Sequence, residues 1–341
     1  MSQMIPACLA PRDVSRPKVP PPPGACDTHA HVFGPAARFA YADDRSYTPP
    51  DAPLEKYLGM LDTIGFARGV LVQGSAHGRD NSAVLDALTQ RPDRLRGVAV
   101  ADSEVSPAVL REWDRIGVRG LRFNHFFRDG QLHYRGGVPL SAAATLAPVM
   151  AELGWHLQLW IDVKDLPETI PVLKALGLPV VIDHMGRTDA RAGTGTAGFQ
   201  SLLRAVGDGW CWAKLSGAHR LSRNAPDYPD ARPFHEALVR ANAERLVWGG
   251  DWPHPRVEGE MPDAGHLFEL FQMWTPDLPT QHRILVTNPA KLYGFRTEGF
   301  INDVGQQQAR VLRQISGKPD LCRHPARAAG CTARQAGERK P

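Results

Sequence analysis

No C-x-x-C pair occurs in the chain. Its five cysteines, Cys8, Cys26, Cys211, Cys322 and Cys331, are scattered, and three of them fall in the terminal segments. That excludes a zinc finger and a disulfide scaffold and suits a reduced, cytoplasmic protein. No apolar run approaches the ~20 residues of a membrane span. Residues 1–12 hold no run long enough for a signal peptide. No G-x-G-x-x-G follows the first strand, so a dinucleotide-binding fold has little support. There is no G-x-S-x-G elbow, no convincing nucleophilic triad and no internal repeat of fixed period.

Excess charge is also missing from most of the chain. The net formal charge is +4, yet residues 296–341 carry nine Lys/Arg against four Asp/Glu. The remainder, with 31 basic and 32 acidic side chains, is near neutral. The basic pI therefore belongs to the tail and gives no support for nucleic-acid binding. With 341 residues, 43% of them hydrophobic and 22% charged, the chain has the composition of a globular protein with room for an enzyme-sized core.

What is present is a repeated alternation of short apolar strands and helical periodicities. Residues 1–24 form a Pro-rich arm that ends in Pro20-Pro21-Pro22-Pro23-Gly24. Strands are predicted at 25–33, 69–73, 95–100, 118–123, 155–161, 179–183, 210–215 and 245–248. Helices are predicted at 53–66, 81–91, 106–116, 141–153, 166–176, 199–207 and 232–243, with more helical material over 264–294. Asn81 and Ser106 are read as helix caps. A long polar loop, 36–52, contains Tyr47, and the looser stretch 124–140 interrupts the alternation. Eight β-then-α units over roughly 270 residues point to a flexible arm, a (β/α)8 TIM barrel over 25–295, and a poorly ordered basic tail over 296–341. A doubly wound open sheet is the alternative.

A barrel places its active site at the C-terminal strand ends. The first strand ends in His29 and His31, whose spacing of two puts both imidazoles on one face. The second ends in Gln73, Ser75 and His77, the fourth in Arg122, Asn124 and Arg128. The sixth ends in Asp183, His184 and Arg187, the seventh in Lys214, Ser216 and Arg220, and the eighth in Asp251. Chemically capable residues thus gather at one end of most strands. Asp183 is also read as a helix cap or backbone partner, His77, His125 and His254 as loop histidines, and His156 as structural. Trp248 and Trp252 are read as packing.

Four motifs resemble the amidohydrolase superfamily: Asp27-Thr28-His29-Ala30-His31-Val32-Phe33-Gly34-Pro35, Ile182-Asp183-His184-Met185-Gly186-Arg187, Trp248-Gly249-Gly250-Asp251-Trp252-Pro253-His254-Pro255 and Leu285-Val286-Thr287-Asn288-Pro289. With Gln73-Gly74-Ser75-Ala76-His77-Gly78 and Gly120-Leu121-Arg122-Phe123-Asn124, the resemblance covers about residues 20–294. It is closest to the lactonase branch that hydrolyses 2-pyrone-4,6-dicarboxylate. That resemblance implies a distorted TIM barrel acting on a small anionic lactone in aromatic-compound degradation. Asp251 would be the general base, with His29, His31 and His184 around the reacting carbonyl. Arg122, Arg128 and Arg220 would hold substrate carboxylates, with Tyr47 and Ser75 as further contacts. Guanidinium–carboxylate chemistry agrees with this.

Two departures matter. The bridging Lys or Glu after the fourth strand and the His after the fifth, which superfamily members use for two metals, are absent. A two-metal site is therefore not expected; the resemblance to the lactonase branch implies a metal-free mechanism, with a single zinc on His29, His31 and Asp251 as the alternative. A zinc-dependent decarboxylase is the competing activity. Trp160 stands where the branch has tyrosine, which suits a related substrate such as a sulfonated muconolactone. Partners other than a small molecule are not expected, with no nucleic acid or membrane among them, and oligomeric state is not legible.

Overall fold

The computed structural model describes residues 5–296 except Asp129 and Glu258. The tail beyond Arg296 lies outside the described residues, as does the side chain of Arg128. Eight parallel strands form one sheet in strict sequence order. They are Cys26–Ala30, Arg68–Val72, Leu95–Ala99, Val118–His125, His156–Ile161, Val180–Ile182, Cys211–Leu215 and Leu246–Trp248. Helices between successive strands complete a (β/α)8 barrel, so the open-sheet alternative is excluded.

The seam between the first and last strands is closed by main-chain hydrogen bonds. Asp251 N donates to His29 O at 2.7 Å, and His31 N donates to Trp252 O at 2.8 Å. Thr28 Oγ1 donates to Trp248 O at 2.7 Å. Asp27 reinforces the seam from inside. Its Oδ1 accepts Gly250 N at 2.9 Å and His29 N at 3.2 Å, and its Oδ2 accepts the Tyr57 hydroxyl at 3.1 Å. Burial pushes the Asp27 carboxyl up to about 6 against the pull of these donors. The register of the seam brings the H-x-H pair beside Asp251.

Local sequence explains the outer helices. In Leu54–Ile64, Leu54, Tyr57, Leu61 and Ile64 recur at helical spacing and are buried. Gly65 ends the helix at φ 103°, with its N–H on Leu61 O. Pro107 opens the helix to Ile116. Two expected caps differ. Ser106 occupies its N-cap position without a side-chain cap bond. Asn81 bonds Val100 N at 2.9 Å and Val100 O at 2.8 Å instead, tying its helix to the end of the third strand. The helical material after the eighth strand is divided into Ala264–Trp274, Leu278–His282, a π turn at Arg283–Thr287 and Asn288–Tyr293.

Among its described residues the Pro-rich arm has no helix or regular strand of its own and is fastened to the body. Cys8 N donates to Thr48 O and Thr48 N to Pro6 O, each at 2.8 Å, beside Tyr47. Further along, Ser15 N bonds Asp263 Oδ1 at 3.0 Å and Lys18 N bonds Glu269 Oε1 at 2.9 Å.

Gly249 faces the seam. A Cβ there would lie 2.5 Å from His29 Cβ and 2.7 Å from His29 N, so backbone would have to move. Gly249→Ala is expected to cost about 1–3 kcal/mol in urea unfolding and to reduce turnover by displacing His29. Wild-type stability together with wild-type kcat would contradict the seam's role.

Candidate active site

Asp251 sits at the centre of the barrel mouth, fully buried, in a left-handed backbone conformation at φ 64°. Non-glycine residues adopt this region rarely, and such strain collects at functional sites. His184 shares the feature at φ 50°. Three imidazole Nε2 atoms face the Asp251 Oδ1 atom: His31 at 3.5 Å, His29 at 3.7 Å and His184 at 3.8 Å. The Oδ2 atom is held by Arg220 Nε at 2.5 Å and His219 Nε2 at 3.1 Å. Burial alone would raise the Asp251 carboxyl, but Arg220 and the histidines hold it well below the usual carboxylate range.

Each of the three inward-facing histidines has its outer nitrogen engaged. His31 Nδ1 meets Val72 O at 2.8 Å, and His184 Nδ1 meets Ser216 Oγ at 2.9 Å. His29 Nδ1 lies 3.2 Å from Lys214 Nζ and 3.3 Å from Asp183 Oδ1. Burial is the main reason that His29 is pushed down to about 3 and that His184 lies well below its ordinary value. Both rings are neutral at pH 7.

Below this layer lies a buried charge network. Asp183 is not a helix cap. Its Oδ2 accepts Arg122 Nε at 3.0 Å and Gln158 Nε2 at 3.2 Å, with Arg122 Nη2 at 2.9 Å. Lys214 Nζ donates to Gln158 Oε1 at 2.8 Å and Thr28 O at 2.9 Å, and stands 3.7 Å from Asp183 Oδ1. The network binds the ends of strands one, four, five, six and seven together. Burial pushes Lys214 down to about 8, countered first by Asp183.

The structure brings most of the expected site residues together. His31, His184, Asp251, Arg122, Arg220, Tyr47 and Ser75 all line one cavity at the mouth. His29 lies beneath it, fully buried. Ser75 Oγ donates to the Tyr47 hydroxyl at 3.4 Å. Arg122 and Arg220 each already hold a protein carboxylate, so they are pinned by structure before any substrate arrives. Arg122 uses Nε and Nη2, and Arg220 uses Nε on Asp251 and Nη2 on Pro255 O at 3.1 Å. The Nη1 donors remain on both. The backbone of Arg128 pairs with Gln131 in a small hairpin, and the role expected of its side chain lies outside the described residues.

Trp160 forms one wall, with its ring 5.0 Å from His184 and beneath the guanidinium carbons of Arg122 (5.3 Å) and Arg220 (5.9 Å). Its Nε1 has no hydrogen-bond partner among the described residues. His219, Tyr134 and the roles of Lys214 and Asp183 were not read from the sequence. His219 adjoins Arg220, and Tyr134 lies in the stretch that breaks the alternation; that irregularity was the available signal. His77 is structural, with Nδ1 on Ala40 O at 2.9 Å and its ring stacked on Phe33. His156 packs edge-on against Tyr293 at the opposite end of its strand.

The donor set fits a single divalent cation. His29 Nε2, His184 Nε2 and Asp251 Oδ1 are buried without hydrogen-bond partners among the described residues. Lone pairs of neutral imidazoles facing a carboxylate oxygen call for a proton or a cation between them. Relative to the expected set of His29, His31 and Asp251, whose ligand atoms cluster as expected, the geometry adds His184.

A parallel barrel carrying histidines from the first and sixth strands and an aspartate from the eighth defines a hydrolase-type barrel site. The chain belongs to the amidohydrolase family, whose model matches residues 26–295. It is 38% identical over 293 residues to a 4-sulfomuconolactone hydrolase of Rhizobium radiobacter, covering 85% of this chain and 97% of that protein. It is 37% identical over 288 residues to a 2-pyrone-4,6-dicarboxylate hydrolase of Comamonas testosteroni, covering 82% and 93%. Among solved structures it resembles a putative 2-pyrone-4,6-dicarboxylic acid hydrolase from Pseudomonas putida, with 38% identity, a TM-score of 0.68 and coverage of 81% and 99%.

Two outcomes follow from this charge arrangement. Lys214→Met leaves Asp183 without its buried ammonium partner and is expected to cost about 3–5 kcal/mol, measured by urea unfolding; a cost below ~1 kcal/mol would show the network to be dispensable. The buried neutral histidines set the pH dependence. His29, His156 and His235 are lowered to about 3, so the unfolded chain binds more protons than the folded one below the ordinary value of 6.5. Stability is therefore fully present above pH ~6.5 and is lost progressively as pH falls from there through about 3. A denaturation midpoint unchanged between pH 7 and pH 5 would contradict this.

Proposed function

We propose that the chain is a lactone hydrolase for a small ring carrying two anionic groups, of the 2-pyrone-4,6-dicarboxylate or sulfomuconolactone kind, serving aromatic-compound degradation. The observation that carries the reading is Asp251, ionised and backed by three inward-facing imidazoles, in a cavity walled by two pinned guanidiniums. The curated relatives named above support it.

The ring packs against Trp160, and its anionic groups take the Nη1 donors of Arg122 and Arg220 and the hydroxyls of Tyr47 and Ser75. In the metal-free state the tautomers of His31 and His184 follow from their outer partners. His31 donates Nδ1–H to the Val72 carbonyl, so its Nε2 accepts. Ser216 donates to His184 Nδ1, so His184 presents Nε2–H to the lactone carbonyl as an oxyanion donor. His29 Nδ1 is held between Lys214 Nζ and Asp183 Oδ1, and its Nε2 faces Asp251 Oδ1 from beneath. A water held by Asp251 and His31 attacks the carbonyl carbon, and its proton passes to Asp251. The acyl–oxygen bond of the ring breaks, and that proton goes to the leaving oxygen. The low pKa of Asp251 makes it a weak base that is ionised at every working pH, so much of the rate enhancement rests on the oxyanion donors. A divalent ion on His29, His31, His184 and Asp251, when bound, would supply Lewis-acid polarisation of the carbonyl and acidify water.

A metal-dependent decarboxylase is the second reading, favoured by the same orphaned nitrogen and oxygen atoms. Purified protein is expected to open 2-pyrone-4,6-dicarboxylate or a sulfomuconolactone without releasing CO2, and Asp251→Asn to lower kcat at least ~100-fold while remaining folded. CO2 release from an aromatic acid, with no lactone opened, would establish the decarboxylase instead. Loss of lactonase activity on chelation, restored by zinc, would replace the metal-free tautomer assignment with the cation-bound one.

A further inference from the structure

Charges in the inner site nearly cancel. Arg122 and Lys214 are paired with Asp183 and Arg220 with Asp251, and the seam carboxylate Asp27 acts on Lys214 without bonding it, so three cations stand against three carboxylates. A dianion entering this pocket meets oriented donors but little net positive potential. The attraction that brings it there has to come from guanidiniums that no protein carboxylate neutralises.

Such groups line the neighbouring cleft. This cavity of about 420 Å³ is bordered by Arg187, Arg191, Arg220, Arg223 and Arg256. Two of its three carboxylates are ion-paired, and the third, Asp230, keeps its charge. Asp189 is paired with Arg191, Asp162 with Lys164, and Asp230 accepts the Ser222 hydroxyl. Neither Arg223 nor Arg256 has a carboxylate within ion-pair distance among the described residues; Arg223 acts on Asp189 only at longer range, and Arg256 Nη1 lies 3.3 Å from His133 Nε2. Arg223 is exposed; Arg256 is half-buried, 5.4 Å over the ring of Tyr134, which lines the catalytic cavity. Arg220 lines both cavities. The cleft therefore opens to solvent on one side and shares a wall with the catalytic pocket on the other.

We propose that this cleft is an outer anion-binding station, which captures small di- and tricarboxylates through Arg223 and Arg256 and delivers them to Arg220 at the catalytic pocket. The proposal rests on the reading of the substrate as a dianionic lactone. A cleft in which five arginines face three aspartates carries an excess of positive charge, which raises local anion concentration and the association rate, and salt weakens the effect.

The test is the double variant Arg223→Glu/Arg256→Glu in the full chain, with an unchanged thermal midpoint as the folding control. For 2-pyrone-4,6-dicarboxylate at low ionic strength, kcat/KM is expected to fall roughly tenfold with kcat unchanged. The wild-type decline of kcat/KM with added NaCl should flatten in the variant. Calorimetric titration with citrate should show binding to wild type that weakens roughly tenfold in the variant. Equal salt slopes in the two proteins would overturn the proposal. If no lactone is turned over, the functional reading fails on its own, and citrate alone decides the cleft: equal citrate affinity, or none in either protein, overturns the station.

Discussion

Closure of the barrel between its first and last strands is the constraint from which the site follows. The bonds Asp251 N to His29 O and His31 N to Trp252 O set the register of that seam. Once they form, the two histidines and the aspartate have no freedom to be anywhere but side by side. Asp27 locks the same register with its Oδ1 atom, and Tyr57 holds Asp27 through Oδ2. One strand pairing thus produces both the closed core and the reactive constellation. The left-handed backbone of Asp251 is tolerated because the surrounding bonds over-determine it.

Charge balance is the second layer of the design. Buried carboxylates and cations are costly unless paired and hydrogen-bonded. Here Asp183, Arg122, Lys214 and Gln158 pair with one another across four strands, and Lys214 reaches a fifth through Thr28 O. The consequence is a rigid platform on which His29 and Arg122 have little rotamer freedom. Preorganised donors of this kind do not need to reorganise when charge develops on a carbonyl oxygen. The same pairing leaves the inner pocket close to neutral, which moves the work of attracting an anion outward to the unpaired arginines.

Much of this was legible in the sequence. Strand order followed from eight apolar runs bounded by turn residues, and the mouth residues followed from reading the polar positions after each run. His29 and His31 could be placed on one face by the period of a strand. Their meeting with Asp251 was expected from the barrel's strand ends and the family resemblance, not from that period, because it depends on closure across more than 200 residues of sequence. Asp183 was placed at the mouth with a cap or backbone partner as its other reading, and its network went unread because one carboxylate after a strand carries no mark of its buried partners. His219 was hidden beside Arg220, on a single helical turn too short to show periodicity. Asn81 has cap chemistry and a cap position, yet the end of the third strand offers its amide two better partners.

The most direct test of the central claim, that a water held at Asp251 attacks the lactone carbonyl, is a single-turnover experiment. Enzyme in excess over 2-pyrone-4,6-dicarboxylate reacts in 18O-labelled water, and mass spectrometry reads both product and protein. The account predicts one 18O in the newly formed carboxylate on the first turnover and none in the peptide that carries Asp251. An unlabelled first-turnover product, with 18O appearing in Asp251, would mean that the carboxylate itself is the nucleophile and would contradict the account.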